Sequence, residues 1–348
     1  MSDEIRKNFA SDNIAPACPE VLEALLRANR GPAPAYGSDE LTGELELRFA
    51  SLFEHDLLSF PVSTGTAANS LALSALVPPY GAVLCDQSAH IANDEGGAPE
   101  FFTHGAKLIP IPSPDGRMKP DALRAAIELN RLGGLQSPSA RALSLTQSTE
   151  WGTLYTLDDL RELTTIAHEA GLAVHMDGAR FANAVAALGC TAAQASWKAG
   201  IDVLTFGGTK NGAIAAEAVL FFTPSLAEDF LRRVKRSGHL WSKQRFMSAQ
   251  LLALLENDLW LDHARQANAM AERLAHGLHR YTAATLPYET QANEVFVVLP
   301  KAVTQALEDA GYRFYRWPTP PGVTGDLIRL VTDFTTTTHD IDALLAAL

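Results

Sequence analysis

No stretch of this chain runs for the roughly 18 apolar residues that a membrane-spanning helix needs. Its first residues, MSDEIRKNFASDN, are polar and mixed in charge, without the apolar centre of a secretory signal. Both absences point to a soluble, cytoplasmic protein with no membrane partner. Cysteine is scarce as well. Cys18, Cys85 and Cys190 stand far apart, with no CxxC pair, so neither a disulfide framework nor a metal site is expected. A basic excess is missing too: 40 acidic against 28 basic residues give a formal net charge of −12. That balance disfavours nonspecific binding to nucleic acid, while leaving room for a locally positive pocket. No internal repeat or low-complexity segment stands out.

What is present is alternation. From about Asp56 to Pro224 the apolar runs LLSFPVS, AVLCD, KLIPIP, ALSLTQS, LAVHMD, VLTFGG and AVLFF are separated by helical patterns such as TAANSLALSALV, LDDLRELTTIAHEAG and TAAQASWKAG. Strands alternating with helices predict an α/β domain, with a mainly parallel or mixed seven-stranded sheet covered on both faces. Ligands of such sheets bind at the carboxyl ends of the strands. After Pro224 a long helical region reaches Tyr281, broken near Gly238. Then EVFVVLP, a helix near Thr304–Ala310, RFYRWP, LIRLVTDF and HDIDALLAAL predict a smaller α/β unit. The expected division is an N-terminal arm at 1–50, a large domain at 51–244 and a small C-terminal domain at 245–348. GPAPAYG is expected to be irregular.

Three segments carry chemistry. In LAVHMDGAR an apolar strand ends in Asp177, with Arg180 close behind. In VLTFGGTKNG a second strand delivers Lys210 just beyond its end. In VSTGTAANSLALSAL a strand, a turn of small residues containing Gly65 and Thr66, and a helix follow one another. A helix N-terminus reached through such a turn offers unpaired N–H groups and a favourable dipole to a phosphate. Each segment alone also fits a purely structural role: a helix cap, a turn carboxylate, a solvated lysine, a core histidine. Together, in one α/β domain, they are the parts of a pyridoxal 5'-phosphate site. The lysine amine bonds the cofactor aldehyde. The aspartate keeps the pyridine nitrogen protonated, the turn holds the phosphate, and His90 in CDQSAHIANDEGG covers the ring.

With those residues in place, the sequence resembles the low-specificity L-threonine aldolases of the β-eliminating lyase superfamily, fold-type I pyridoxal-phosphate enzymes. The matching pieces span nearly the whole chain: FASDN, YGSDELT, STGTAAN, DQSAHIANDEGG, HMDGARFANA, GGTKNG and RLVTDF. The resemblance implies Lys210, Asp177 and His90 in the roles just given, and Gly65 and Thr66 in the phosphate turn. It implies Ser11, Arg180 and Arg329 around a substrate carboxylate, with Arg180 also near the cofactor's phenolic oxygen. An arginine fork suits a carboxylate. It further implies a homotetramer built from dimers, with sites at subunit interfaces, and cleavage of β-hydroxy-α-amino acids to glycine and an aldehyde.

There are departures. Where many relatives have Ser-Lys-Gly, this chain has Thr209-Lys210-Asn211. Where many have Glu-Asn-Thr-His, it has Gln147-Ser148-Thr149-Glu150. Glu150 therefore stands where a histidine often meets the substrate hydroxyl. Either it takes that proton, or it supports the loop and a water held by His90 takes it. The expected consequence is weak discrimination between L-threonine and L-allo-threonine. The family's arginine-containing loop corresponds to SGHLWSKQRF, which makes Arg245 the candidate phosphate ligand, reaching a neighbouring subunit's cofactor. The alternatives at this stage are another pyridoxal-phosphate reaction, β-elimination or transamination, and a noncatalytic binding protein on the same fold.

Overall fold

The structure, a computed structural model, describes residues 7–319 and 322–348. All seven apolar runs of the central region form strands: β1 (Leu58–Val62), β2 (Gly81–Asp86), β3 (Lys107–Ile111), β4 (Ser139–Thr146), β5 (Ala173–Gly178), β6 (Val203–Gly207) and β7 (Glu217–Phe221). They make one sheet in the order β1-β7-β6-β5-β4-β2-β3. The pairs from β6 to β3 are parallel, and β7 runs antiparallel to both β1 and β6. Because β1 and β6 both oppose β7, they share a direction. The carboxyl ends of β1, β2, β4, β5 and β6 therefore lie along one edge.

Every residue of β2, β6 and β7 is buried, which is why these strands read as continuous apolar runs rather than alternating ones. The helix Gly65–Leu76 lies against the sheet with Ala67 to Ser74 all buried. Its small residues allow that close seat. Phe49, Phe53, Phe181, Phe206 and Trp260 are all buried to within 2 % of their surface. Their rings meet in edge and stacked contacts, Phe49 and Phe206 at 5.2 Å between centroids. Side chains of this size contribute about 1.5–3 kcal/mol each on burial.

A second sheet follows, β8 (Glu294–Leu299), β9 (Tyr315–Trp317) and β10 (Asp326–Val331), in the order β8-β10-β9 and antiparallel throughout. Met270, Leu274 and Leu278 of the helix Leu259–Arg280 pack into its core. Among the described residues no helix is long and apolar enough to cross a membrane.

Some expectations differ from what is observed. The N-terminal stretch contains the helices Pro19–Ala28 and Glu40–Phe53, and Val21, Phe49 and Phe53 belong to the core of the large sheet. So do Met247, Leu251 and Leu254 of the helix Arg245–Leu255. TAAQASWKAG does not form an α-helix; only the 3-10 turn Trp197–Ala199 appears there. Gly200 ends it at φ +89, where a Cβ would strike the side chain of Thr164. The long C-terminal helical region has a second break. Asn257 and Asp258 sit at φ 51 and 58 in the left-handed region, which asparagine and aspartate tolerate better than most residues. They turn the chain between Arg245–Leu255 and Leu259–Arg280.

Candidate functional site

A cavity of about 460 Å³ opens at the shared carboxyl edge of the strands, lined by Thr64, Gly65, Thr66, Asn69, His90, Glu150, Asp177, Lys210 and Glu217, among others. Asp177 arrives on the end of β5, between Thr146 of β4 and Thr205 of β6 in the sheet register. It is 2 % exposed. One carboxylate oxygen accepts from Asn69 Nδ2 at 2.8 Å and the other from the Ala179 N–H at 3.0 Å. A buried carboxylate needs such partners.

Lys210 sits in the 3-10 turn Thr209–Asn211 directly after β6. Two glycines bring its turn against that of Asp177. A Cβ at Gly207 would strike the Ala179 carbonyl, and one at Gly178 the Thr205 carbonyl. Behind the lysine turn, Glu217 accepts the Gly208 N–H at 2.9 Å. Burial pushes this carboxyl up to about 7, against the pull of hydrogen bonds and of Lys210.

The turn after β1 has the expected form. Thr64 is an extended N-cap whose hydroxyl accepts from the Ala67 N–H at 3.1 Å. Further N–H groups of that first turn have no partner within the helix, and Gly65 and Thr66 of this turn line the cavity.

His90 opens a short helix after β2, and its Nδ1 pairs with Glu95 Oε1 at 2.9 Å. The same oxygen accepts Asn69 Nδ2 at 2.8 Å. Asn69 thus spends its two hydrogens on Glu95 and Asp177. The hydrogen bond to Glu95 raises the His90 pKa against the opposing effect of burial. Burial and the nearby Asp177 raise that of Glu95, while His90 and Asn69 pull it down. Glu150 lies on the turn after β4 and is 8 % exposed. Burial first, then repulsion by Glu294, push its carboxyl up to about 7, against Lys210, Arg180 and His90.

Four of the sequence-predicted residues lie outside the lining of this cavity. Ser11 caps the turn Asp12–Ile14 by accepting the Asn13 N–H. Arg180 is buried and already forked onto Asp12, at 2.7 and 3.0 Å, with Glu294 at 3.4 Å. Burial of Asp12 favours its neutral form, but the charges of Arg180 and Lys210 together with the hydrogen bonds from Arg180 and Asn293 outweigh that and hold it below the usual carboxylate range. Arg329 donates to Glu294 Oε1 at 3.1 Å and lies over the rings of Tyr315 and Trp317. These three residues are not among those lining the cavity. Arg245 stands apart from it within this chain: its Nε donates to the Ala28 carbonyl at 2.9 Å, and its guanidinium lies over Phe246.

Asn69, Glu95, Glu217, Asp12 and Glu294 were not singled out from the sequence. For Glu95 a signal existed, an acid five positions after His90 in HIANDE. Glu294 was visible as an acid opening the apolar strand EVFVVL.

The sheet order, the edge cavity and the aspartate and lysine on adjacent turns define a fold-type I α/β enzyme architecture. The chain belongs to the beta-eliminating lyase family, which it matches over residues 8–302. It is 45% identical to a low specificity L-threonine aldolase of a Pseudomonas species, over 90% of both chains. It is 46% identical to one of Pseudomonas aeruginosa, again over 90% of both. Among solved structures it is similar to a threonine aldolase of Leishmania major, with a TM-score of 0.91, 26% identity and 98% of each chain covered.

Proposed function

We propose that this protein is a pyridoxal-phosphate-dependent aldehyde-lyase that cleaves L-threonine, L-allo-threonine and related β-hydroxy-α-amino acids to glycine and an aldehyde. The observation that carries this reading is the single cavity that gathers Lys210, Asp177, His90 and the Thr64–Thr66 turn at the carboxyl edge of the sheet. These residues fit the cofactor. An amine, a buried carboxylate with both oxygens supported, a flat ring and a helix N-terminus face one space. Gly65, with no heavy atom within 4 Å of where its Cβ would stand, leaves the phosphate end open. Bound there, the cofactor would take up the electron pair left at Cα when a bond to that carbon breaks.

The chain's own residues do the rest. Lys210 would hold the cofactor through its amine. Asp177, oriented by Asn69, would keep the cofactor's ring nitrogen protonated, and His90, held by Glu95, would cover its ring. Arg180, Arg329 and Ser11 would fix the substrate carboxylate, and so decide which bond to Cα is placed to break. Glu150 takes the proton of the β-hydroxyl as that bond breaks.

Gly65, Thr66 and, from a neighbouring subunit, Arg245 would receive the phosphate. The assembly this implies is a homotetramer built from dimers, which light scattering would check by mass. We infer a cytoplasmic location, in keeping with three free thiols of which Cys18 and Cys85 are buried. We divide the chain so that the small unit begins along the helix Leu259–Arg280, since the residues before it pack in the large core.

Incubation with L-threonine tests the reaction type. Acetaldehyde and glycine in equal amounts are expected. A 2-oxo acid with ammonia would make the protein a β-eliminating enzyme instead.

A further inference from the structure

Two arginines, two carboxylates and an asparagine meet beside the cavity. Arg180 is 6 % exposed in its side chain, Asp12 2 % and Glu294 0 %. Arg329 is 11 % exposed. Glu294 Oε1 sits between the two guanidinium groups, 3.4 Å from Arg180 and 3.1 Å from Arg329. Asp12 takes the fork of Arg180. As the structure stands, the two positive charges are balanced by two negative ones.

The balance is electrostatically full but not satisfied in hydrogen bonds. Glu294 Oε2, Arg329 Nε and Asn293 Oδ1 are buried without a hydrogen-bond partner. Buried polar atoms of this kind are few in folded proteins, and each calls for an explanation. Arg329 Nε is the donor among them, the group that an arriving carboxylate would meet, while Glu294 Oε2 and Asn293 Oδ1 are acceptors that such a group leaves unpaired. A carboxylate arriving there would satisfy Arg329 Nε. It would also bring a third negative charge against two positive ones, next to Glu150.

We propose that Glu294 is a specificity-determining residue: it is the internal counter-ion of the Arg180–Arg329 pair, and an incoming α-carboxylate must compete with it. This rests on reading those arginines as the substrate-carboxylate site. Glu294 thereby sets how weakly the enzyme holds its amino acid. It keeps the arginines in place without ligand and lowers the gain from binding one. Removing its charge while keeping its shape leaves a net positive site, and a ligand carboxylate then restores neutrality instead of exceeding it.

The test is equilibrium binding to the cofactor-loaded enzyme, read from the visible absorption band. The probes are glycine and methylamine, which carries the amine and lacks the carboxylate. In Glu294→Gln the dissociation constant for glycine should fall by about tenfold or more, with that for methylamine unchanged. Glu294→Ala should act in the same direction, and serves if the glutamine variant does not fold. Unchanged or weaker glycine binding in a folded variant overturns the proposal. So does an equal change for both probes, which would mean that Glu294 supports the site only structurally. Arg329→Lys separates the underlying reading. It should weaken glycine and spare methylamine; equal effects on both would remove the carboxylate site itself, and the proposal with it.

Discussion

His90 and Glu95 are joined, Nδ1 to Oε1, at 2.9 Å, and the same oxygen receives Asn69, whose other hydrogen reaches Asp177. One amide therefore couples the group proposed to cover the cofactor ring to the group proposed to meet its nitrogen. Glu95 touches neither substrate nor cofactor in this account; it positions His90 and, through Asn69, Asp177.

Glu95→Gln should release His90 from the partner that raises its pKa. For a histidine raised on folding, the stabilisation is full below the unfolded value near 6.5 and is lost as pH rises through the folded value. The variant should thus lose more stability relative to wild type at pH 6 than at pH 9. Thermal melts at both values check this. A loss that is equal at the two pH values would place the effect in packing rather than in the His90–Glu95 pair.

Asp177→Asn keeps the size of the side chain but offers one amide oxygen to two donors, Asn69 and the Ala179 N–H, so it should fold with some loss of stability. Without a carboxylate the ring nitrogen is not held protonated, and kcat should fall by at least about a hundredfold, roughly 2.7 kcal/mol of barrier. Turnover within a few-fold of wild type would remove Asp177 from that role.

Glu150 acts as a base only when ionised, and its carboxyl is pushed up to about 7. Cleavage should therefore rise with pH through about 7, and the rising limb should vanish in Glu150→Gln. Loss of a positioned base costs about 10²–10⁴-fold. That loss should fall on cleavage of threonine and not on exchange of the glycine α-proton, which involves no hydroxyl. Equal losses in the two reactions would make Glu150 a loop-supporting residue. With no histidine at this position, kcat/KM for L-threonine and L-allo-threonine should differ by less than about a hundredfold; parallel assays of the two diastereomers settle it.

Arg180→Lys keeps a charge but loses the fork that Asp12 and Glu294 share. kcat/KM should drop by about 1–3 kcal/mol, and the fold should weaken because Asp12 is left buried with a poorer partner. Steady-state kinetics and a melt measure both. A variant with wild-type kcat/KM would remove Arg180 from substrate binding.

Much of this arrangement is legible in the chain because it is local. Each functional side chain lies at the end of its strand run or a few residues beyond it, so LAVHMD announces Asp177, VLTFGGTK announces Lys210 and ALSLTQSTE announces Glu150. What is not legible is assembled across distance. Asn69 and Asp177 lie 108 positions apart, and Asn293 reaches Asp12 across 281. No periodicity announces such pairings. The carboxylate partners of Arg180 and Arg329 stayed hidden for the same reason: the type of residue suggested a ligand site, and only the packing of β8 and β10 against the turn at Asp12 shows what already occupies it. The second break of the C-terminal helices was missed because Asn257 and Asp258 read as tolerable helix residues until their left-handed backbone is seen.

Lys210 is the residue proposed to be joined to the cofactor. Borohydride reduction of the cofactor-loaded enzyme, followed by proteolysis and mass spectrometry of the peptides, tests this most directly. The result expected is a pyridoxyl-phosphate mass on the peptide that contains Thr209-Lys210-Asn211, absent from Lys210→Ala along with the visible band and the turnover. A label on another lysine, or a Lys210→Ala protein that keeps a reducible linkage and full activity, would contradict it.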